Sequence, residues 1–124
     1  MSKVDKLIKN VYKELECSEY IIDHSNTVYK RTKDITKYYN NVDKDLIKAG
    51  AKLHDVGRTV TNGIKHAYIG ADLLRDLDVD EKICKITERH IGAGISAKEA
   101  KDLGLPDRKY IPKTLEEKIV AHAD

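Results

Sequence analysis

With 124 residues, 40% of them apolar and 35% charged, the chain is long enough to bury a core without disulfides or a structural metal, and it reads as one domain. Lys+Arg 23 against Asp+Glu 21 gives a formal charge of +2 with signs alternating along the chain, which argues against a disordered segment and against a nucleic-acid footprint. Seven Gly, two Pro and the lack of Trp and Phe suit a helical protein with a core of Tyr, Ile, Leu and Val.

Val4, Leu7, Ile8, Val11 and Leu15 step by three and four, and predict an amphipathic first helix that serves packing alone. Ser18 suits an N-cap, and a second helix is expected to run to about Tyr39, with Ile21, Val28, Ile35 and Tyr39 on its buried face. His24 shares that face; taken alone, it reads as a hydrogen-bonded core histidine. Asn40 and Asn41 break the pattern, and Asp43 can cap a third helix carrying Leu46, Ile47, Gly50 and Leu53, with Gly50 leaving room for a close neighbour. This helix reaches His54 and Asp55 and stops by Gly57, read as a helix breaker ahead of Arg58 and the polar turn 59–63.

A fourth helix starts near Lys65 and His66 and carries Ile69, Leu73, Leu74 and Leu77, with His66 one turn before Ile69. A fifth, opened by Asp78 or Asp80, places Ile83, Ile86, Thr87 and His90 inward. Gly92, Ala93 and Gly94 read as a flexible turn. Ser96 to Glu99 has capping-box spacing for a short helix ended by Gly104, and Thr114 to Glu117 repeats it before a last helix that brings Val120, Ala123 and Asp124 to one side. Strand-like alternation of useful length and internal repeats are lacking, so the expected fold is all-α, a single-domain bundle of about six helices over residues 1–124.

Cys17 and Cys84 are far apart with no C-x-x-C motif, and neither a leader pattern nor a long apolar run opens the chain. The expectation is a cytoplasmic protein with no membrane association, both thiols being ordinary helix residues.

His54 and Asp55 are adjacent at a predicted helix end, where neighbouring side chains can converge on one ion. His24, His66, His90 and Asp124 take inward positions or helix ends on four other predicted helices. A neutral imidazole offers one lone pair and a carboxylate can bridge two ions, so this mixture suits Fe, Mn, Zn or Ni better than a hard-cation site would. Two-metal hydrolysis needs such a bridge: ions roughly 3.5–4 Å apart turn a shared water into hydroxide at neutral pH and stabilise both sides of a phosphoryl displacement. His122 lies about 200° around the helix from Asp124 and is read as a surface or packing residue. Asp23, beside His24, is read as exposed.

The order His24, His54-Asp55, Asp124 resembles the H…HD…D signature of the HD-domain metal-dependent phosphohydrolases, from about His24 to the last residue. His54-Asp55-Val56-Gly57-Arg58 is similar to the His-Asp-Ile-Gly variant, with Val56 in place of isoleucine, and His66 and His90 match the additional histidines of the two-metal branch. The resemblance implies an HD-domain-like bundle and one ion held by His24, His54, Asp55 and Asp124, with Asp55 bridging to a second ion on His66 and His90. The ions implied are divalent transition metals: Fe, Mn, Ni, Co or Zn. It further implies a phosphatase or phosphodiesterase acting on a nucleotide or another small phosphorylated substrate, with His54, Asp55 and Arg58 as the catalytic residues.

Members of the family commonly place a basic residue, often lysine, after the His-Asp-Ile-Gly segment. Arg58 stands there, and its guanidinium can grip a phosphate bidentately; the alternative is a solvated loop arginine. Lys65 is a second phosphate candidate. Asp124 is the final residue here, whereas family members usually continue the helix that carries this aspartate, so affinity for the first ion is where a departure is expected.

Two other readings stay open. A catalytically inactive HD module would bind nucleotide or metal for regulation without turnover. A plain helical interaction domain with core histidines would hold no stoichiometric ion. Nucleic-acid binding is disfavoured, because the sequence has neither a basic stripe nor interleaved aromatics at phosphate spacing.

Overall fold

Hydrogen-bonding side chains open nearly every helix of this chain, and they set where each one starts. In the computed structural model, which describes residues 1–91 and 95–124, the order is α1 (Lys3–Glu14), α2 (Glu19–Thr36), α3 (Lys44–Leu53), a 3-10 turn (Val56–Thr59), α4 (His66–Asp76), α5 (Glu81–Arg89), α6 (Ala97–Asp102) and α7 (Leu115–Ala123). The expected turn over 92–94 lies outside the described residues. Among those residues there is no strand, so the fold is the all-α bundle expected, with seven α-helices where about six were anticipated.

Ser18, Asp43 and Thr114 each accept a backbone N–H three residues ahead, satisfying a donor that the first helical turn leaves free. Ser96 and Glu99 complete a reciprocal capping box. Asp80, not Asp78, opens α5; Asp78 instead takes a left-handed backbone (φ 59°) that ends the chain's path out of α4. After α6 the left-handed position falls to Gly104 (φ 75°), as its place in the sequence suggests.

The organising element is α3, which packs on α1, α2, α5 and α7. Its two sides feed two apolar clusters: Ala49 and Leu53 join Val11, Leu74 and Cys84, while Ile47 and Ala51 join Val28, Ile86 and Val120. Gly50 lets α5 come close, since a Cβ there would lie 2.7 Å from Ile86 Cδ1.

Four expectations need correction. The second helix ends at Thr36, so Tyr39 lies beyond it and is 43% exposed. The buried face of α4 is carried by His66, Ala67, Gly70, Ala71 and Leu74, with Ile69 and Leu73 only half-buried, because small residues are what the neighbouring backbone can accommodate. Gly57 breaks nothing: it sits inside the 3-10 turn, and a Cβ there would lie 1.9 Å from the His66 carbonyl oxygen and 2.8 Å from the Gly70 nitrogen. Its missing side chain is what allows the turn to rest directly on the backbone of α4. Lastly, Cys17 lies in the link between α1 and α2 and not in a helix, although both cysteines are free as expected. No helix among the described residues is long and apolar enough to cross a membrane.

Candidate metal centre

His54 caps the C-terminal end of α3, His90 does the same for α5, and His66 opens α4. Each ring is oriented by the same local bond. Nδ1 faces the carbonyl oxygen three residues earlier: Ala51 at 2.5 Å for His54, Gly63 at 2.8 Å for His66 and Thr87 at 2.6 Å for His90. A carbonyl only accepts, so each Nδ1 carries a proton and each ring turns its Nε2 inward, a bare lone pair once the ring is neutral, as a metal ligand must be.

Those lone pairs converge on Asp55. Its Oδ1 lies 3.2 Å from His66 Nε2 and 3.6 Å from both His54 Nε2 and His90 Nε2. Its Oδ2 lies 3.4 Å from His24 Nε2 and 3.1 Å from Arg58 Nε. At the cluster's open side, Asp124 Oδ1 is 3.2 Å from His24 Nε2 and 3.3 Å from His54 Nε2. Thus His24, His54, Asp55, His66, His90 and Asp124 come together from α2, the end of α3, α4, α5 and the end of α7.

The burial of these groups is graded. His54, Asp55, His66 and His90 are buried, whereas the side chains of His24 and Asp124 are 38% and 27% exposed. Burial alone would raise the Asp55 carboxyl, but the imidazoles of His66, His90 and His54 outweigh it and hold the group well below the usual carboxylate range. Asp124 is likewise held down, to about 2: burial opposes, and His54 and His90 prevail. Burial also opposes charge on His54, yet Asp124 and Asp55 raise its pKa, while at His90 burial dominates and the pKa falls.

Two features of this arrangement are unfavourable without a cation. Among the described residues, His54 Nε2 and Asp55 Oδ1 are buried with no hydrogen-bond partner, although Oδ1 has imidazoles near it, because none meets hydrogen-bonding geometry. The Nε2 atoms of His66 and His90 face one another at 3.0 Å, two acceptors once both rings are neutral with their protons held on Nδ1 by the carbonyls. Two ligands about 2.1 Å from a shared ion, and about 90–110° apart around it, are themselves about 3.0–3.4 Å apart. The separations of 3.0–3.4 Å among His66, His90, His24, His54, Asp55 and Asp124 fit that range, while the 3.6 Å from Asp55 Oδ1 to His54 and to His90 lies just outside it. One ligand atom from each of His24, His54 and Asp124 lies within 4.8 Å of the others, and the same holds for His54, Asp55 and His90. The donor set, imidazole nitrogen with carboxylate oxygen, suits a divalent transition metal.

Arg58 turns inward, its Nε on Asp55 and its Nη1 3.4 Å from the Asn62 carbonyl, with about a third of the side chain exposed. Lys65 is exposed at the start of α4 and makes no ion pair among the described residues. His122 and Asp23 are both exposed, as read from the sequence.

Several supporting residues have no signature in the sequence. Arg31 Nη1 reaches the Ala123 carbonyl at 3.2 Å and so ties α2 to the residue preceding Asp124. Behind the cluster, Arg89 pairs with buried Glu117 at 2.9 Å, and Glu88 accepts from both Arg75 and Arg108. Only Arg31, seven residues after His24 and hence on the same helical face, offered a hint.

The HD domain as a family matches residues 21–124. An uncharacterized protein of Methanocaldococcus jannaschii is 46% identical over 98% of this chain and 72% of its own length. Two proteins named tRNA (cytidine(56)-2'-O)-methyltransferase, from Picrophilus torridus and Thermoplasma volcanium, are 46% and 50% identical over 96% and 86% of this chain. The matched parts are 37% and 31% of those two proteins, so this chain spans about a third of their length. No solved structure matches it. With the family matched from α2 to the final residue, over a helical bundle that gathers the H…HD…D residues, the chain belongs to the HD-domain family.

Proposed function

We propose that residues 1–124 form one HD-type domain that acts as a cytoplasmic metal-dependent phosphohydrolase on a nucleotide or another small phosphorylated substrate. The observation that carries this reading is the facing pair of Nε2 lone pairs on His66 and His90, 3.0 Å apart beside the unpartnered Asp55 Oδ1. A buried carboxylate among inward lone pairs is a cation site by its chemistry. His24, His54, Asp55 and Asp124 would hold one divalent ion, and Asp55, His66 and His90 would hold a second. When bound, such ions supply the Lewis acidity that ionises water near neutral pH and the charge that offsets an in-line phosphoryl displacement.

The chain's own residues do the rest. The Nδ1 bonds to Ala51, Gly63 and Thr87 hold three rings in one tautomer and one direction. Arg58, already on Asp55 Oδ2, is placed to grip non-reacting phosphate oxygens, and Lys65 adds positive charge at the start of α4. Exposure of His24 and Asp124 opens the cluster on that side, which is where substrate enters. Two free, partly or wholly buried thiols suit a reducing compartment.

The names of the two longer relatives favour a second reading, in which the domain serves RNA as part of a tRNA-modifying protein, with or without turnover. One screen distinguishes turnover, and the substrate it prefers, from binding alone. Protein loaded with Mn, Fe, Ni or Co is assayed on nucleoside monophosphates, cyclic phosphodiesters and RNA-derived terminal phosphates, beside Asp55→Ala. Turnover by the unaltered chain that vanishes in D55A supports the hydrolase. Nucleotide binding with no turnover in any metal favours the regulatory module, and unchanged activity in D55A overturns the site assignment.

A further inference from the structure

The surface beside Asp124 is not flat. A hollow of about 500 Å³ begins at Asp124 and is walled by Ile111, Pro112 and Lys118. Ile111 and Pro112 also wall a second hollow of about 340 Å³, which continues past Arg108, Lys109 and Lys113. Lys109 and Lys113 in turn border a third, of about 540 Å³, that ends at Lys82 and Lys85 on α5. Each shares lining residues with the next, so the three adjoin along one stretch of surface, a groove longer than a single small-molecule pocket.

Five lysines line this groove: Lys118, Lys113, Lys109, Lys85 and Lys82. Among the described residues, lysines form ion pairs only at Lys37–Asp34 and Lys48–Asp5, so all five groove ammonium groups are unneutralised. Of the acidic groups at the groove's far end, Glu117 is paired with a cation, Arg89, whereas Asp43 and Glu116 accept only backbone N–H groups and keep their charge. The five lysines outnumber the charged carboxylates of Asp43, Glu116 and Asp124 that also line the groove, so it is positive on balance, with Ile111, 55% exposed, as an apolar step midway.

We infer that this groove binds a single-stranded oligonucleotide, its phosphates along the lysines and one end at the His/Asp cluster. The placement of that end rests on the phosphohydrolase reading; the binding itself does not. A row of unpaired ammonium groups beside apolar surface fits a phosphodiester strand with bases free to pack, and an open groove of this extent fits several nucleotides better than one. Tyr110, the aromatic residue of the groove, is 2% exposed and spends its hydroxyl on the Pro106 carbonyl, so it offers no stacking face. Binding is accordingly salt-controlled and insensitive to base sequence. The lysines come from two segments more than twenty residues apart, which is why no basic stripe shows in the sequence.

Fluorescence anisotropy of a labelled oligouridylate tests this on the full chain, comparing K109Q/K113Q with K6Q/K9Q, an equal charge loss on the exposed face of α1. Metal content and thermal midpoint are read on the same samples. The groove variant should weaken binding roughly tenfold at about 0.1 M salt and reduce the log–log salt slope by about 1.4, at about 0.7 per lost phosphate contact. The α1 variant should bind like the unaltered chain. Equal losses in both variants, no binding by the unaltered chain, or equal affinity for a duplex would overturn the inference. Binding that survives where no stoichiometric metal is found leaves the groove standing and removes only the reaction. Turnover of a small phosphodiester without oligonucleotide binding removes only the groove.

Discussion

Asp55 and Gly57 stand two residues apart, one making the cluster's centre and the other making its position possible. The missing Cβ of Gly57 lets the 3-10 turn sit on the His66 carbonyl and the Gly70 nitrogen, and so fixes His66 relative to Asp55. Backbone atoms cannot rotate away as a side chain can. Gly57→Ala should therefore cost about 3 kcal/mol or more, against about 1–2 kcal/mol for Gly50→Ala, whose obstacles, Cδ1 and Cγ2 of Ile86, belong to one side chain that can shift. Urea unfolding of the two variants checks the order; equal costs would contradict it. Locally, a glycine before a loop has the meaning of a helix breaker, and Gly57 carries that signal in the sequence. Its actual constraint comes from α4, which sequence spacing cannot show. The ligand-type residues were easier to see, since their side-chain chemistry is rare on an inward face and needs no knowledge of partners.

At the scale of elements, α7 is positioned from both ends. Arg31 holds its last turn, and Glu117 in its first turn bonds Arg89 of α5 and the Lys113 N–H. The capping-box spacing suggested that Glu117 would fold back on Thr114. Thr114 does accept from Glu117 N, but the Glu117 side chain is drawn inward by Arg89 instead. Burial raises the Glu117 carboxyl, yet Arg89 and the Lys113 N–H more than compensate and leave it below its ordinary value. A depressed carboxyl stabilises the fold above its unfolded pKa of about 4.5 and loses that contribution as pH falls through the folded value. Glu117→Gln should lower stability by about 3 kcal/mol at pH 7, with the gap closing as pH drops below about 4.5. Denaturant midpoints across pH measure this, and a gap constant with pH would contradict it. Helix starts were legible throughout because a cap acts over three residues. The end of α2 was not, since Ile35 to Tyr39 continues the apolar spacing while the packing that would bury it stops at Thr36.

Across the whole molecule, α3 joins two apolar clusters and delivers His54 and Asp55 at the place where they meet α2, α4, α5 and α7. Periodicity made this bundle predictable, and Gly50 read as room for a close neighbour; the role of Ala49 and Ala51 was not legible, because small residues give little apolar signal. A cluster assembled from five elements couples ion binding to folding. Removing metal with a chelator should lower stability by about 3 kcal/mol relative to metal at a hundredfold excess over its Kd, seen as a drop in thermal midpoint that added Mn reverses. The most direct test of the account is elemental analysis of protein purified without chelator, with Asp55→Ala and His66→Ala/His90→Ala beside it. The account predicts close to two equivalents of divalent transition metal in the unaltered chain, one in the double histidine variant and none retained by D55A. Metal-free protein that is fully folded and takes up no ion from Mn, Fe, Ni, Co or Zn would contradict it.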